Sequence, residues 1–485
     1  MKKKFYKKKY YSLIFFISLL ISQDVFDGYF LFTPGEAFPT NSYTFYTHLM
    51  RNDQTDFHSW RHDKAPASMP YIIPGDENGW QNTFLLYPYR VDNPTMMSGG
   101  SGGGLLCIGW NNEILWSYEL ANNNYQHHHD IEPLPNGNVL ILSWDRKTFS
   151  ESMQAGRTSI NNPLNEMWST SIFEIEPNDS GGVNTVWEWH LWDHLIQDEN
   201  PDADNFGVVA DHPELFDINK GNIGWEPWEP SGDWMHCNTI SYNPIFDQIV
   251  ISSRFQNEIF VIDHSTTTEE ASGHAGGNSG KGGDFLYRWG NPQNYDRGSN
   301  IDQTLSAQHS INWIPESYPG EGNFILYNNG FNKVIEFSPP VDENGNYFIE
   351  DNQPYGPINT IWESPFTSSD MQGGSFRLPN GNTLITDCDD SNIKEYTLEG
   401  DLVFDYSYTD NMLIARAQKY SINQFGFQEN IIGDINQDNF VNIYDLIYIV
   451  NIIIEIEPNN ILADLNNDDL VDILDVLFLV DIILS

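Results

Sequence analysis

The sequence predicts an all-β chain that carries a small α-helical module at its C-terminus. Short apolar runs such as "VLILSW" (139–144), "QIVISS" (248–253), "NEIFVID" (257–263), "NFILYN" (323–328) and "NTLITD" (382–387) are separated by Gly, Pro, Asn and Asp turns. Two segments repeat almost word for word, "LPNGNVLIL" (134–142) and "LPNGNTLIT" (378–386), each an Asn-Gly turn feeding a buried strand. A hairpin unit recurring through about 400 residues points to a β-propeller, because radial repetition uses up most sheet edges. The repeat is irregular, so an array of β-sandwiches stays open. After Gln428 the composition changes to two acidic loops, each followed by an apolar helical segment.

Taken in order, the chain opens with "MKKKFYKKKYYSLIFFISLLISQ". Six of its 23 basic residues fall in the first nine positions, before an apolar run from about Leu13 to Ile21. That is the layout of a signal peptide over residues 1–22, and the run is too short to span a bilayer. An uncleaved anchor is the alternative; either predicts export, with a secreted, extracellular or periplasmic location. Residues 23–428 form the strand-rich domain and 429–485 the terminal module. The Gly-rich stretches "SGGSGGG" (98–104) and "ASGHAGGNSGKGGD" (271–284) read as exposed loops. Aromatics at 14% against 19% charged residues suit a rigid, packed protein. A net charge of −45 argues against nucleic acid and anionic membranes as partners. The three cysteines, Cys107, Cys237 and Cys388, are odd in number and widely spaced, so neither a disulfide framework nor a zinc site is indicated.

In the terminal module, aligning Asp434 with Asp464 gives a 30-residue repeat. Oxygen-bearing side chains fall at loop positions 1, 3, 5, 9 and 12: Asp434, Asn436, Asp438, Asn442 and Asp445, then Asp464, Asn466, Asp468, Asp472 and Asp475. The carbonyls of Phe440 and Leu470 would supply position 7. Ca²⁺ takes several oxygens from one tight loop, and this spacing offers them. The last ligand is Asp instead of Glu, and position 6 is Asn439 or Asp469 instead of Gly. Loop followed by helix, twice, resembles a type I dockerin module. The resemblance implies structural Ca²⁺ and a cohesin-like or cell-surface partner. An acidic, solvated tail is the bland alternative.

Candidate chemistry rests on histidines. "YQHHHDIEP" sets His127, His128 and His129 before a strand, where alternation sends at most two to one side. The following Asp130 could orient an imidazole, or the cluster could hold a metal; a polar turn explains it equally well. "VWEWHLWDHL" reads as an aromatic wall with hydrogen-bonded histidines, although His194 beside Asp193 could line a pocket for a flat ligand. In "GDWMHCNTISYNPIFDQIVISSRF", His236 and Asn238 share a face, and Arg254 sits in an apolar run, which requires a carboxylate partner or a bound anion. "SAQHSINWIP" places His309 at another strand start. No HExxH, GxSxG or P-loop accompanies these elements.

The order of "HHHDIEPLPNGN", "WEWHLWDHL", "DWMHCNTISYNPIFDQIVISSR", "YRWGNPQNY", "QHSINWIP" and "GGSFRLPNGNTLIT" resembles the bacterial, PAPS-independent arylsulfate sulfotransferases over roughly residues 30 to 425. Its most specific part is His-x-Asn with an arginine eighteen residues after that histidine. The resemblance implies a six-bladed β-propeller and transfer of a sulfuryl group from a phenolic sulfate to a phenolic acceptor. It implies His309 as nucleophile, with His236, Asn238, Arg254 and a histidine of the HHHD element, His129 or His128, around the sulfuryl group. Ser310 departs from the family, which often has Asp there, and the closely spaced cysteine pair of some members is missing.

The chemistry is self-consistent. Sulfuryl transfer spreads charge over three oxygens, much as phosphoryl transfer does, so fixed cations and donors stabilise its transition state. A forked Arg254 suits two of those oxygens. A neutral His309 can attack sulfur and carry the group as sulfohistidine, with no cofactor needed for catalysis. Two other readings stand beside this one: a non-catalytic propeller binding sulfated or anionic glycans on a Ca²⁺-dependent scaffold, and a hydrolase using water as acceptor.

Overall fold

A computed structural model describes residues 25–36, 44–73, 83–178, 181–224, 230–409, 412–421, 433–436, 441–454, 456, 460, 463–466 and 470–484. The proposed leader at 1–22, and Asp438, Phe440 and Asp468 of the acidic loops, lie outside them.

Six four-stranded antiparallel sheets make the blades of a β-propeller. Blade one holds Gly28–Phe32, Phe45–Met50 and Asp56–His62, and blade two Tyr71–Ile73, Phe84–Arg90, Gly103–Gly109 and Ile114–Glu119. Blade three runs Tyr125–Pro133, Val139–Thr148, Glu166–Pro177 and Val183–His190. Blade four runs Cys237–Asn243, Gln248–Ser253, Glu258–Asp263 and Tyr287–Trp289. Blade five comprises His309–Trp313, Phe324–Asn328, Lys333–Phe337 and Trp362–Glu363, and blade six Gly374–Arg377, Thr383–Asp387, Asn392–Tyr396 and Leu402–Ser407. The ring closes when Gln418–Ser421, from the far end of the domain, pairs with Gly28–Phe32 in the register Gly28 to Ser421 and Leu31 to Gln418. Closure gives Gly28–Phe32 a partner from the far end of the domain and leaves only short, protected blade edges, the physical advantage of radial repetition.

Neighbouring blades pack face to face, which is why central strands such as Gln248–Ser253 and Glu258–Asp263 are buried along their whole length. Leu140, Leu142 and Ile172 of blade three meet Ile249, Ile251 and Phe260 of blade four, and Val250 and Val261 turn to Ile311, Phe324 and Leu326 of blade five. Both Asn-Gly repeats form the same turn, joining the first two strands of blades three and six: Gly137 N–H donates to the Leu134 carbonyl, and Gly381 N–H to that of Leu378.

The first strands of blades three to six are tied by side chain to backbone. The Asp130 carboxylate accepts from Ile240 N–H (3.2 Å), Thr239 Oγ1 from Ser310 N–H (2.8 Å), and Ser310 Oγ from Ser375 N–H (3.0 Å). Ser310 thus braces blade five to blade six.

The terminal module contains helices Ile443–Ile453 and Ile473–Leu484, packed through Ile435, Ile449, Ile452, Ala463, Val476 and Leu479. No described helix is long and apolar enough to cross a membrane.

Candidate active site

Three blades deliver histidines to one place because their first strands are bulged. Pairing slips between Ile141 and Ser143 opposite the HHHD element, between Cys237 and Thr239 at Asn238, and between His309 and Asn312 after the third histidine. His129, His236 and Ser310 take left-handed φ values of 58°, 48° and 58°. Such strain concentrates where a side chain must be re-aimed. The bulge defeats the strict alternation expected of "HHHD". His128 and His129 both join the cluster, whereas His127 turns away to accept from Gly103 N–H (3.1 Å).

The cluster is buried and compact. The Nε2 atoms of His129 and His236 are 3.3 Å apart, so one proton bridges them. The His128 ring lies 5.0 Å from that of His236 and stacks on Trp144 at 3.8 Å, and the His309 ring is 6.4 Å from that of His129. Residues 98–104, expected as an exposed loop, instead form the floor. The Gly99 carbonyl is 3.1 Å from His128 Nε2, and a Cβ on Gly100 (φ +79°) would fall 2.1 Å from His129 Nε2. Only glycine admits that approach.

Asp233 orients His236. Its carboxylate takes the Nδ1 proton at 2.5 Å and also accepts from the His236 backbone N–H and Trp144 Nε1, both at 3.0 Å. His236 Nε2 is therefore the atom turned to His129. Asp130 has a different role from the imidazole partner suggested by its position: it forms a buried ion pair with Arg416 and accepts from Ser68. That pairing holds blades two and three to the chain's closing segment.

His309 carries the sharpest geometric information. Asn329 Nδ2 donates to the carbonyls of Ser369 (3.0 Å) and Gln372 (2.7 Å), so its Oδ1 must face His309 Nδ1, at 2.8 Å. Since that oxygen only accepts, Nδ1 carries the proton and Nε2 keeps a lone pair. Burial, with Arg254 the strongest neighbouring charge, holds the imidazole well below the usual histidine range. It stays neutral, as a nucleophile requires.

Arg254 follows directly: its backbone N–H donates to the His236 carbonyl, and burial lowers its guanidinium from the usual arginine value against the pull of Asp233. Phe255 stacks on His236 at 4.6 Å and lines a cavity of about 610 Å³ with Arg157, Ser159, Asn161 and Asn222. Asn238 is partly a brace: one amide N–H goes to the Gln308 carbonyl (2.7 Å), fixing the residue before His309.

His194 is not brought to this cluster. Its ring nitrogens are engaged by Asp284 (2.8 Å) and the Ala271 carbonyl (2.9 Å), so among the described contacts it is no part of a substrate pocket. Asp233 and Asn329 escaped sequence reasoning. The Asp-x-x-His spacing at 233–236 was a usable signal; nothing local marks Asn329, which reaches His309 from the 3-10 turn just after the next strand.

The closed propeller brings buried imidazoles and a guanidinium to one place, an arrangement with the donors and positive charge to take up an anion. Residues 111–347 match the family described as arylsulfotransferase (ASST), which over that span supports a sulfotransferase activity in general. The matched span contains His128, His129, His236, Asn238, Arg254, His309 and Asn329. No curated protein matches. Similar solved structures include a protein of unknown function from Bacteroides caccae (11% identity, TM-score 0.42, covering 81% of this chain and 98% of that one). They also include a periplasmic gluconolactonase of Pseudomonas aeruginosa (8% identity, TM-score 0.40, covering 81% and 99%) and a virginiamycin B lyase of Staphylococcus aureus (10% identity, TM-score 0.34, covering 78% and 85%).

Proposed function

We propose that this chain is an exported arylsulfate sulfotransferase that moves a sulfuryl group from a phenolic sulfate ester to a phenolic acceptor through sulfohistidine at His309. The observation that carries this is the Asn329 hydrogen bond, whose oxygen accepts from Nδ1–H and so leaves Nε2 with its lone pair. Nε2 attacks sulfur, the S–O bond to the phenol breaks, and the phenolate leaves with its electron pair. A phenol then attacks the sulfohistidine sulfur, returning the lone pair to Nε2. Arg254, His236 and His129 surround the transferred oxygens, where charge grows in the transition state. The proton shared between Nε2 of His129 and Nε2 of His236, the latter ring held by Asp233, can pass to the leaving phenolate and be returned by the acceptor phenol. His128, stacked on Trp144, shapes the cluster's wall. Mixing the protein with 4-nitrophenyl sulfate and measuring intact mass tests the route. A single added SO₃ that disappears on adding phenol is expected, and its absence from wild type, or persistence in His309→Ala, removes the proposal.

In the terminal module the donor set fits Ca²⁺. Asp445 accepts from Ile435, Asn436 and Asn442 N–H, and Asp475 accepts from Leu465, Asn466 and Asp472 N–H, all within 2.8–3.3 Å. Each buried carboxylate thereby draws the beginning and end of its loop together and keeps lone-pair capacity for a cation. Asp434, Asn436, Asn442 and Asp445, and Asp464, Asn466, Leu470, Asp472 and Asp475, would hold the ions, with Asp438, Phe440 and Asp468 completing the sets. Ca²⁺ would neutralise the acidic loops and stiffen them. The module would then dock to a cohesin-like or cell-surface partner. Calorimetry with Ca²⁺ on the full chain should show two more sites than in the Asp445→Ala, Asp475→Ala double variant. Equal uptake by the two proteins rejects the assignment.

A further inference from the structure

His194, His274 and Asp284 form a second cluster, interleaved in sequence with the first but placed between the outer strands of blades three and four. His194 follows Val183–His190, while His274 and Asp284 lie within the Gly-rich stretch 271–284 between Glu258–Asp263 and Tyr287–Trp289. His194 Nδ1 and His274 Nδ1 converge on one oxygen, Asp284 Oδ1, at 2.8 and 2.7 Å. All three ligand atoms lie within 4.8 Å of one another.

The hydrogen-bond chemistry of His194 is over-determined. Nε2 faces the Ala271 carbonyl at 2.9 Å, and a carbonyl only accepts, so Nε2 carries the proton. In the neutral ring Nδ1 is then a bare lone pair, yet it points at a carboxylate oxygen. A cation between them resolves the conflict. Histidine bound to metal through one nitrogen characteristically donates the other N–H to a carbonyl or carboxylate, which is what Ala271 receives. The ring is built into place: it is fully buried, lies parallel to Trp189 (5.6 Å, 4°), and approaches Ala271 only because residue 283 is glycine. A Cβ there would come 2.6 Å from His194 Nε2 and 2.0 Å from the Ala271 oxygen. The two imidazoles stand nearly perpendicular at 5.8 Å, close to the roughly 5 Å expected of two rings on one tetrahedral ion.

We propose that His194 Nδ1, His274 Nδ1 and Asp284 Oδ1 bind a divalent transition ion of the zinc type. Two imidazoles exclude Ca²⁺ and Mg²⁺ preference, and a shell of bonds near 2.1 Å places ligand atoms about 3.4 Å apart, so on loading the two nitrogen–carboxylate separations widen by roughly 0.6 Å while the rings draw slightly together. His274, 60% exposed, leaves the remaining position to water. The ion pins residues 271–284 to blade three and acts as an inter-blade staple in a protein whose three cysteines are all free.

The test uses the full chain, stripped with chelator, saturated with Ca²⁺ to occupy oxygen-rich sites, then loaded with Zn²⁺ and desalted. Wild type should retain one more zinc per chain than His274→Ala and Asp284→Asn, and zinc should raise the melting midpoint of wild type alone. His274→Ala folds normally because that side chain is largely exposed. Equal zinc in wild type and His274→Ala overturns the proposal. So does a doubly protonated His194 imidazolium, seen by ¹⁵N NMR at neutral pH with zinc present, which would make the cluster an ion pair.

Discussion

Asn329→Ala tests the reasoning at its narrowest point. The substitution removes the acceptor for His309 Nδ1 and the donor for the Ser369 and Gln372 carbonyls. A buried acceptor left without its donor costs about 1–3 kcal/mol; with water reaching the part-buried Gln372 bond, the folded state should lose about 2–4 kcal/mol. That is tolerable for a protein of ordinary stability. The catalytic loss has two parts. Without the Nδ1 bond, worth about 1 kcal/mol, the reactive tautomer is no longer enforced, roughly a five-fold effect. A ring free to turn adds misplacement, so formation of the sulfuryl-enzyme should slow by about 10–100-fold. Stopped-flow release of nitrophenol reads this directly. Asn329→Asp is the companion: its carboxylate beside Nδ1 raises the His309 pKa, and the acid limb of the rate profile should move to higher pH. Wild-type burst rates in Asn329→Ala, or an unmoved acid limb in Asn329→Asp, would refute the tautomer argument.

Three further outcomes are expected. Arg254→Ala should reduce transfer by about 10²–10³-fold, and Arg254→Lys should recover only part, because a point charge cannot grip two oxygens; equal rates for Lys and Arg would deny the fork its role. Arg416→Met should cost about 3–5 kcal/mol by leaving Asp130 buried without its cation, read by denaturant unfolding; a change below about 1 kcal/mol would mean Asp130 is satisfied by Ser68 and Ile240 alone. Acid should loosen the propeller early. Burial lowers His62 to about 3, His127 to about 4 and His128 to about 3, so each is neutral when folded and takes up a proton on unfolding below pH 6.5. Stability therefore falls with pH below 6.5, by up to about 1.4 kcal/mol per unit for each group. His264 behaves oppositely: burial lowers it, but Asp247 and Glu174 together raise it to about 9, so its contribution is full below 6.5 and lost on the way up to 9. A melting midpoint that stays level or rises between pH 6.5 and 5.5 would contradict this balance.

Strand positions and turns were open to reading because they are local. Asn-Gly fixes a turn wherever it occurs, and "QIVISS" and "NTLITD" form strands at Gln248–Ser253 and Thr383–Asp387. The members of the cluster were named through the order of motifs that resembles a family, since the residues alone left a buried ion pair or a polar turn equally open. Partnerships were not. Asp130 looked like a histidine's orienter and instead holds Arg416, and residues 98–104 looked solvent-exposed and instead support His128 and His129. Nothing nearby in the chain distinguishes these outcomes, because each depends on a residue tens to hundreds of positions away.

Composition, turn chemistry and residue type thus set which elements form and which groups are available for chemistry, since both depend on short-range sterics and side-chain identity. The closing of six blades into a ring, and the bulges at His129, Asn238 and Ser310, decided where those groups point. The packing of blade five against the segment entering blade six decided, too, that His309 has one protonated and one bare nitrogen: Asn329 can enforce the tautomer only because Ser369 and Gln372 are folded against its other side. A tautomer is a property of three-dimensional hydrogen bonding, and no linear pattern contains it.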